Sequence, residues 1–268
     1  MISAPHLSIL DATTGNTSPS SADLVRPTAP ASPISYGLSQ SAWDEHPEFL
    51  QRLVRQSGAR RVGDIGGGAN PMLSPDYLAA SGIDYTLIDI EEGELAKAPA
   101  CYHKLIGDVT NPSCGADGSF DLVFSAMLAE HVQSGEALHR NLFRLLSRGG
   151  LAFHFFPTLY SPPFIANYLL PEKLTGKLLN IFNPRDNYQQ AKFPALYSWC
   201  RGPSRRQLDR LQEIGYEVAM YRGFFGHTYY KKIPVVREIS AAFARFLVKH
   251  PVPQLTSFSW LLLRKPER

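Results

Sequence analysis

The hydrophobic positions of this chain follow two spacings that replace each other along the sequence. Apolar runs within 60–66, 84–90 and 120–127 are short and bounded by polar or glycine residues, which is typical of buried strands. Residues 135–150 and 204–215 instead repeat their apolar positions every three or four residues, which is typical of amphipathic helices. This alternation predicts an α/β fold in which helices cover both faces of a parallel sheet.

Seven strands are predicted in all: the runs within 60–66, 84–90, 104–108, 120–127 and 150–157 are strands one to five, and residues 216–225 and 258–265 add strands six and seven. The predicted architecture is a doubly wound, mostly parallel, seven-stranded sheet. Two long stretches interrupt it after strands five and six, at about 158–203 and 226–255. Both are rich in Pro, Tyr and Phe, and stretches of this length in a compact domain are usually functional. We therefore interpret them as helical cap inserts.

The N-terminal part of the chain has a different composition. Residues 1–35 are rich in Ser, Thr, Pro and Ala and poor in large apolar residues, so burial cannot offset the entropy cost of ordering them. We predict a flexible arm over 1–35 and a single domain over 36–268. The domain should open with a helix that has Ser41 as its N-cap, since apolar residues from Trp43 to Val54 follow at helical spacing.

Composition indicates a soluble protein of a reducing compartment. No uncharged apolar run approaches the roughly 18 residues of a membrane helix, and no basic segment precedes an apolar core as in a secretion signal. The three cysteines, Cys101, Cys114 and Cys200, show neither CxxC nor Cys/His metal-ligand spacing. We expect a cytoplasmic protein without a metal site.

The net charge of +3 is unevenly distributed along the chain. Residues 1–150 carry 10 Lys and Arg against 17 Asp and Glu, whereas residues 151–268 carry 17 against 7. The acidic half suits a cationic cofactor, and the basic half suits an anionic acceptor or an anionic membrane surface. Uneven solvation of two surfaces explains the same numbers equally well.

The segment VGDIGGGANPM, residues 62–72, ends a predicted strand on an acidic residue and continues with three glycines. In a doubly wound sheet this first strand-to-helix turn approaches the ligand most closely. A nucleoside triphosphate would need a GxxxxGK[ST] motif, and a dinucleotide would need a third glycine where Pro71 stands. Asn70 and Pro71 instead predict a helix N-cap and its first residue, and proline removes an N–H group that a phosphate would use. A ligand without phosphate is therefore favoured.

The turn DIGGGAN resembles the Asp/Glu-x-Gly-x-Gly-x-Gly turn of the class I methyltransferases that depend on S-adenosylmethionine (SAM). Asn70 stands where that family has its last glycine, and asparagine tolerates left-handed backbone better than most residues. Three further segments, YTLIDI, LIGDVTNP and the AEHV after strand four, resemble the same family in the same order. The resemblance covers residues 60–157, and strands six and seven extend it to the C-terminus. It implies SAM as cofactor and methyl transfer as activity.

The resemblance also implies which residues hold SAM. Asp64, Gly66 and Gly68 would surround the methionine end of the cofactor. Asp89, at a strand end about 20 residues beyond the turn, would accept hydrogen bonds from the ribose hydroxyls, and Asp108 would face the adenine amino group. The full set of implied cofactor residues is Asp64, Gly66, Gly67, Gly68, Asn70, Asp89, Ile90, Asp108, Val109 and Ser125.

Methyl transfer from a sulfonium depends mainly on alignment of the acceptor, but an oxygen or nitrogen acceptor can also need a base. Histidine suits that role near pH 7. His131, after strand four and beside Glu130, is the first candidate, with a structural helix cap as the alternative. His227, after strand six, is a second candidate, as a base or as a substrate contact. His154, within strand five, is interpreted as a core histidine.

The acceptor site is expected in the two inserts, because the sheet core is committed to cofactor and packing. In the first insert, Tyr160, Tyr197 and Trp199 can stack on a ring, and Arg201 can bind a phosphate or carboxylate. The alternative is that these aromatic residues pack a cap and the arginine is solvated. The second insert predicts an amphipathic helix that either docks on the core, which is favoured, or lies on anionic lipid as a peripheral membrane contact.

The segments GDIGGGANPML, DIEEGELAKAP and FHFFPTLYSPPF also resemble bacterial methyltransferases of glycan and natural-product pathways. The predicted function is therefore methyl transfer to an oxygen or nitrogen of a small-molecule, sugar or natural-product acceptor. Nucleic acid is not expected, since the basic residues form no evident stripe and no Asn/Asp-Pro-Pro-Tyr/Phe motif follows strand four. Two alternatives stay open, namely a catalytically silent SAM-binding regulatory or scaffold subunit, and an enzyme that acts on a lipid-linked or protein acceptor.

Overall fold

A computed structural model describes residues 32–161, 165, 194–230 and 233–268. Within these residues one sheet contains the strands β1 Ile34–Leu38, β2 Arg61–Ile65, β3 Asp84–Asp89, β4 His103–Ile106, β5 Phe120–Ala126, β6 Leu146–Pro157, β7 Glu217–Phe225 and β8 Phe258–Arg264. The helices are α1 Ser39–Asp44, α2 His46–Ser57, α3 Pro75–Ser81, α4 Glu92–Lys97, α5 Gly135–Leu145, α6 Arg205–Ile214 and α7 Pro234–Lys249, with a short 3₁₀ turn at Pro253–Leu255.

The strand order across the sheet is β1-β7-β8-β6-β5-β2-β3-β4. Strand β8 runs antiparallel to its neighbours β6 and β7, and the other pairs are parallel. The predicted doubly wound, mostly parallel sheet is confirmed. It has eight strands rather than seven, because β1 adds to the edge beside β7.

Helices cover both faces, as the alternating side chains of β6 show. Phe153 faces α2, with its ring centroid 4.9 Å from that of Phe49. His154, the next residue, faces α5, with its ring centroid 5.2 Å from that of His139. Successive strand residues point to opposite faces, so one strand anchors both helical layers.

The N-terminal region differs from the sequence prediction in two ways. Strand β1 begins at Ile34, inside the segment assigned to the arm, while residues 1–31 lie outside the described part. The expected first helix is two helices, because α2 restarts at His46 with Pro47 in its first turn. Ser41 is not an N-cap: it lies inside α1, and its hydroxyl donates a 2.9 Å hydrogen bond to the Leu38 carbonyl.

Helix α3 also begins later than predicted. Its N-cap is Ser74, whose hydroxyl accepts from the Tyr77 N–H at 3.3 Å, so Asn70 and Pro71 do not cap it. The preceding residues are held in an irregular path by side chains of the core. The Met72 N–H donates to the Asp64 carboxylate at 3.2 Å, and the carbonyl of the next residue accepts from the Tyr102 hydroxyl. In the described part of the chain, no helix is long and apolar enough to span a bilayer.

Candidate functional site

The glycine turn follows β2 at the carboxyl edge of the parallel strands. Gly66 and Gly68 have φ values of 74° and 40°, a backbone conformation that L side chains rarely adopt. A Cβ atom on Gly66 would lie 2.3 Å from Leu128 Cδ1, and one on Gly68 would lie 3.0 Å from Asp89 Oδ2. The turn therefore passes so close to the end of β3 and to the loop after β5 that only glycine fits.

Asp64 lies beneath this turn and supports it. Its carboxylate is buried, and Oδ2 accepts hydrogen bonds from the Tyr85 hydroxyl at 2.5 Å and from the Met72 N–H at 3.2 Å. Burial raises the pKa of Asp64 to about 6, and the two hydrogen bonds oppose that rise. A Cβ atom on Gly67 would lie 2.7 Å from the same carboxylate. Tyr85, which the sequence analysis missed, is the partner that keeps this acid charged near neutral pH.

Asp89 and Ile90 lie where β3 ends. The Asp89 carboxylate accepts from the Glu91 N–H through Oδ1 at 3.0 Å, while Oδ2 faces Gly68. The Ile90 side chain is 58% exposed, which is unusual for a large apolar residue at the end of a buried strand. A carboxylate facing the turn beside an exposed apolar side chain suits a ribose and an adenine ring.

Asp108 and Val109 follow β4. The Asp108 carboxylate accepts from the N–H and the hydroxyl of Thr110 at 2.8 and 2.7 Å, so it is partly engaged in closing its own turn. Val109 is buried, and its carbonyl accepts from Asn141 Nδ2 at 2.8 Å. Asn141, on α5, was not singled out from the sequence, and it fixes the loop after β4.

Ser125 lies near the end of β5, but its side chain points into the core. Its hydroxyl and His154 Nδ1 are 2.8 Å apart, and both residues are buried. Burial lowers the pKa of His154 well below its usual value, so the ring is neutral. Only the backbone of Ser125 is therefore positioned toward the ligand edge, and His154 is a core histidine as interpreted from the sequence.

A pocket of about 270 Å³ lies near the ends of β6 and β7. Its lining is mostly apolar and comes largely from one face of α7, with His227 and Tyr230 from the loop after β7. Burial lowers the pKa of His227, and its Nδ1 atom is buried without a hydrogen-bond partner among the described residues. Ser161 and Ser257 add hydroxyls to the wall, 3.1 Å apart.

A family profile described as “Methyltransferase domain” matches residues 64–154. This match runs from the acid beneath the glycine turn, through Asp89 and Asp108, into β6. Residues 64–154 therefore carry a methyltransferase domain. The predicted resemblance is confirmed over these residues, and SAM is the cofactor that a methyltransferase domain implies.

Solved structures share the fold of this chain at low identity. Phosphoethanolamine N-methyltransferase 2 of Haemonchus contortus, in complex with S-adenosyl-L-methionine, matches with a TM-score of 0.51 and 15% identity, over 84% of this chain and 53% of that one. The cyclase SpnF matches with a TM-score of 0.52 and 15% identity, over 86% and 84%. This chain thus spans about half the length of the first protein. No match to a curated protein was found. At such identities the likeness shows the fold alone, and the fold does not fix the acceptor.

The residues at the carboxyl edge of the sheet fit SAM. The glycine turn exposes backbone without side chains, the Asp89 carboxylate lies beside it for a ribose, and the buried Asp64 carboxylate adds negative charge beneath it for a positive sulfonium. When bound, SAM supplies an electrophilic methyl group on sulfur. Within the described ranges, no three His, Cys, Asp or Glu side chains converge as a metal site would require.

His131 lies in a loop that anchors the end of the first insert. Its Nδ1 atom is 3.1 Å from the Pro194 carbonyl, and its Nε2 atom is 3.5 Å from Glu130 Oε1. Glu130 is 3% exposed, and burial raises its pKa to about 8, so its carboxyl is mostly protonated at neutral pH. The Glu130 carbonyl accepts from the N–H groups of Leu196 and Tyr197. Both ring nitrogens of His131 thus face groups of the chain itself.

The four residues assigned to the acceptor from the first insert are divided between two places. Tyr197 is buried, and Trp199 packs on α5, with its ring centroid 5.9 Å from that of His139. Tyr160 and Arg201 pair with each other, Arg201 Nη1 donating to the Tyr160 hydroxyl at 3.2 Å. Residues 162–164 and 166–193 of this insert lie outside the described part.

Proposed function

We propose that this methyltransferase methylates an oxygen or nitrogen atom of a small acceptor whose larger part is apolar, such as a natural product. The observation that carries the proposal is the pocket beside α7, because its lining is apolar and a few polar groups converge on it. A pocket of about 270 Å³ is just below the usual range for small-molecule sites, roughly 300–1,000 Å³. It suits a compact acceptor better than a polymer.

We assign His227 the role of general base. Its buried Nδ1 has no hydrogen-bond partner among the described residues, so it can accept the proton that an acceptor O–H or N–H loses as the methyl group reaches the oxygen or nitrogen. Because burial lowers its pKa, the ring is neutral and ready to accept a proton at pH 7. His131 is the weaker candidate, since its ring nitrogens face Pro194 and Glu130.

Turnover of a panel of phenols, alcohols, amines and sugars with methyl-labelled SAM tests the proposal. His227→Ala should lower kcat on the best acceptor by roughly 10²–10⁴ while SAM affinity is retained, because only proton removal is lost. The exposed His103 on β4 offers a matched control, and His103→Ala should turn over like the wild type. A His227→Ala enzyme within about threefold of the wild type would exclude this base.

Filling the pocket tests its role independently of the base. Ser240 lines the pocket from α7, so Ser240→Trp should raise the acceptor KM with little change in SAM affinity, while Ser240→Ala should leave both nearly unchanged. An unchanged KM in Ser240→Trp would mean that the acceptor binds elsewhere. Sugars as preferred substrates would contradict the apolar acceptor and leave the methyltransferase activity intact.

A further inference from the structure

Helix α7 presents a line of apolar side chains to solvent. Val235, Ile239, Phe243 and Phe246 are 71%, 65%, 53% and 55% exposed. They recur at spacings of four, four and three residues, so they lie along one side of the helix over about 17 Å. We call these four residues the α7 stripe. Exposed apolar surface of this extent marks an interaction site.

The neighbouring side of α7 explains why the stripe can stay exposed to solvent. Ala244 and Leu247 are buried and belong to a small cluster with Phe225, which anchors the helix to the end of β7. The stripe is therefore not needed to hold α7 in place. The sequence analysis favoured docking of the whole apolar face on the core, and the structure buries only part of that face.

Basic residues border the α7 stripe. Residues 231–250 carry five Lys and Arg against one acidic residue, Glu238, which pairs with Arg237 at 2.9 Å. Arg245 and Lys249 are exposed, and neither forms an ion pair with another described residue. An apolar stripe flanked by exposed cations is the pattern of a helix that lies in the interface of an anionic membrane. A two-fold contact between copies would instead bring the same cations together.

The α7 stripe is continuous with the acceptor pocket. Ile239 and Phe243 belong to both, exposing one side to solvent and lining the pocket with the other. We propose that α7 docks on an anionic lipid bilayer, with the stripe at the boundary between headgroups and acyl chains and with Arg245 and Lys249 against the charged headgroups. Docking would set the pocket beside the bilayer, where amphiphilic acceptors collect. That consequence rests on the proposed function, whereas the docking itself does not.

Co-sedimentation with vesicles tests the docking without reference to methyl transfer. The full chain should bind vesicles of equal parts phosphatidylcholine and phosphatidylglycerol. Its affinity for vesicles of pure phosphatidylcholine should be lower by about tenfold or more. Ile239→Asp should reduce binding to the anionic vesicles by about tenfold or more. The matched control is Ile106→Asp, since Ile106 is 54% exposed on β4 at the opposite edge of the sheet, and it should bind like the wild type.

The contrary outcomes are distinct. Equal binding to both vesicle types, equal loss in Ile239→Asp and Ile106→Asp, or no binding by the wild type would each overturn the docking. A dimer in solution that Ile239→Asp dissociates, together with no vesicle binding, would assign the stripe to a second copy instead. Circular dichroism of each variant distinguishes a lost interaction from unfolding. Lost acceptor turnover with intact vesicle binding would contradict the proposed function alone.

Discussion

Replacing Glu130 with glutamine tests whether burial keeps this carboxyl protonated in the folded enzyme. Glu130 is 3% exposed, and its Oε2 atom has no hydrogen-bond partner among the described residues. Such a group favours the neutral acid, and burial raises its pKa to about 8. Glutamine has nearly the same shape and cannot ionise, so Glu130→Gln removes the titration and little else.

The magnitude follows from proton linkage. In an unfolded chain a glutamate has a pKa of about 4.3. Between about pH 4.3 and about pH 8, the folded protein therefore keeps a proton on Glu130 that the unfolded chain releases. A raised carboxyl pKa contributes stability that is complete below the unfolded value and is lost as pH rises through the folded value. Between about pH 5 and about pH 7, this one group should lower the free energy of unfolding by about 2 to 3 kcal/mol.

Urea unfolding of wild type and Glu130→Gln at both pH values measures this loss. Other groups, including the buried histidines, titrate in the same range, so the informative quantity is the difference between the two proteins. That difference should shift in favour of Glu130→Gln by about 2 to 3 kcal/mol as pH rises. The exposed Glu136 on α5 supplies the control, and Glu136→Gln should follow the wild type. A difference constant to about 0.5 kcal/mol would refute the argument.

Two further substitutions test the loops around the glycine turn. Gly66→Ala should weaken binding of S-adenosylhomocysteine about tenfold or more, because its Cβ would lie 2.3 Å from a Leu128 methyl group. Gly58→Ala is the control. Gly58 has a φ of 67° and open space around it, so this variant should lose stability but not affinity. Comparable affinities in calorimetry of the two variants would mean that the turn is not part of the cofactor site. Tyr85→Phe should cost about 1 to 3 kcal/mol of stability at neutral pH and less below about pH 6, where Asp64 is protonated. A cost independent of pH would show that Tyr85 stabilises packing alone.

The sheet could be predicted from the sequence because its strand signals are local. The apolar runs of β2, β3, β5 and β6 carry their own pattern, and the acids at the strand ends mark the ligand edge. Strand β1 was missed because its pairing partner, β7, lies far along the chain and its five residues follow a Ser- and Pro-rich segment. Edge pairing of a short strand is decided by tertiary context.

The prediction of helix boundaries was wrong where two similar capping signals lie close together in the sequence. Asn70–Pro71 and Ser74–Pro75 are both polar-proline pairs, and the contact between Met72 and buried Asp64 selects the second. Pro47 marked the restart of the second helix and was overlooked.

The acceptor side could not be derived from residue types alone. Trp199 was expected to stack on a ring substrate. In the structure it packs against α5 instead, because its own backbone is left-handed and Gly135 at the start of α5 lets it approach closely. His227 is the preferred base because its Nδ1 has no hydrogen-bond partner in the part of the chain that the structure describes, and residue type alone does not show this.

Calorimetric titration with S-adenosylhomocysteine tests the central claim most directly, that the carboxyl edge of β2 and β3 holds the cofactor. Asp89→Ala should weaken binding by about 1.5 to 3 kcal/mol, roughly ten- to a hundredfold, through the loss of charge-assisted hydrogen bonds to the ribose. Asp84→Ala, at the opposite end of the same strand, should bind as the wild type does. Absence of binding by the wild type, or equal affinities for Asp89→Ala and Asp84→Ala, would contradict the account.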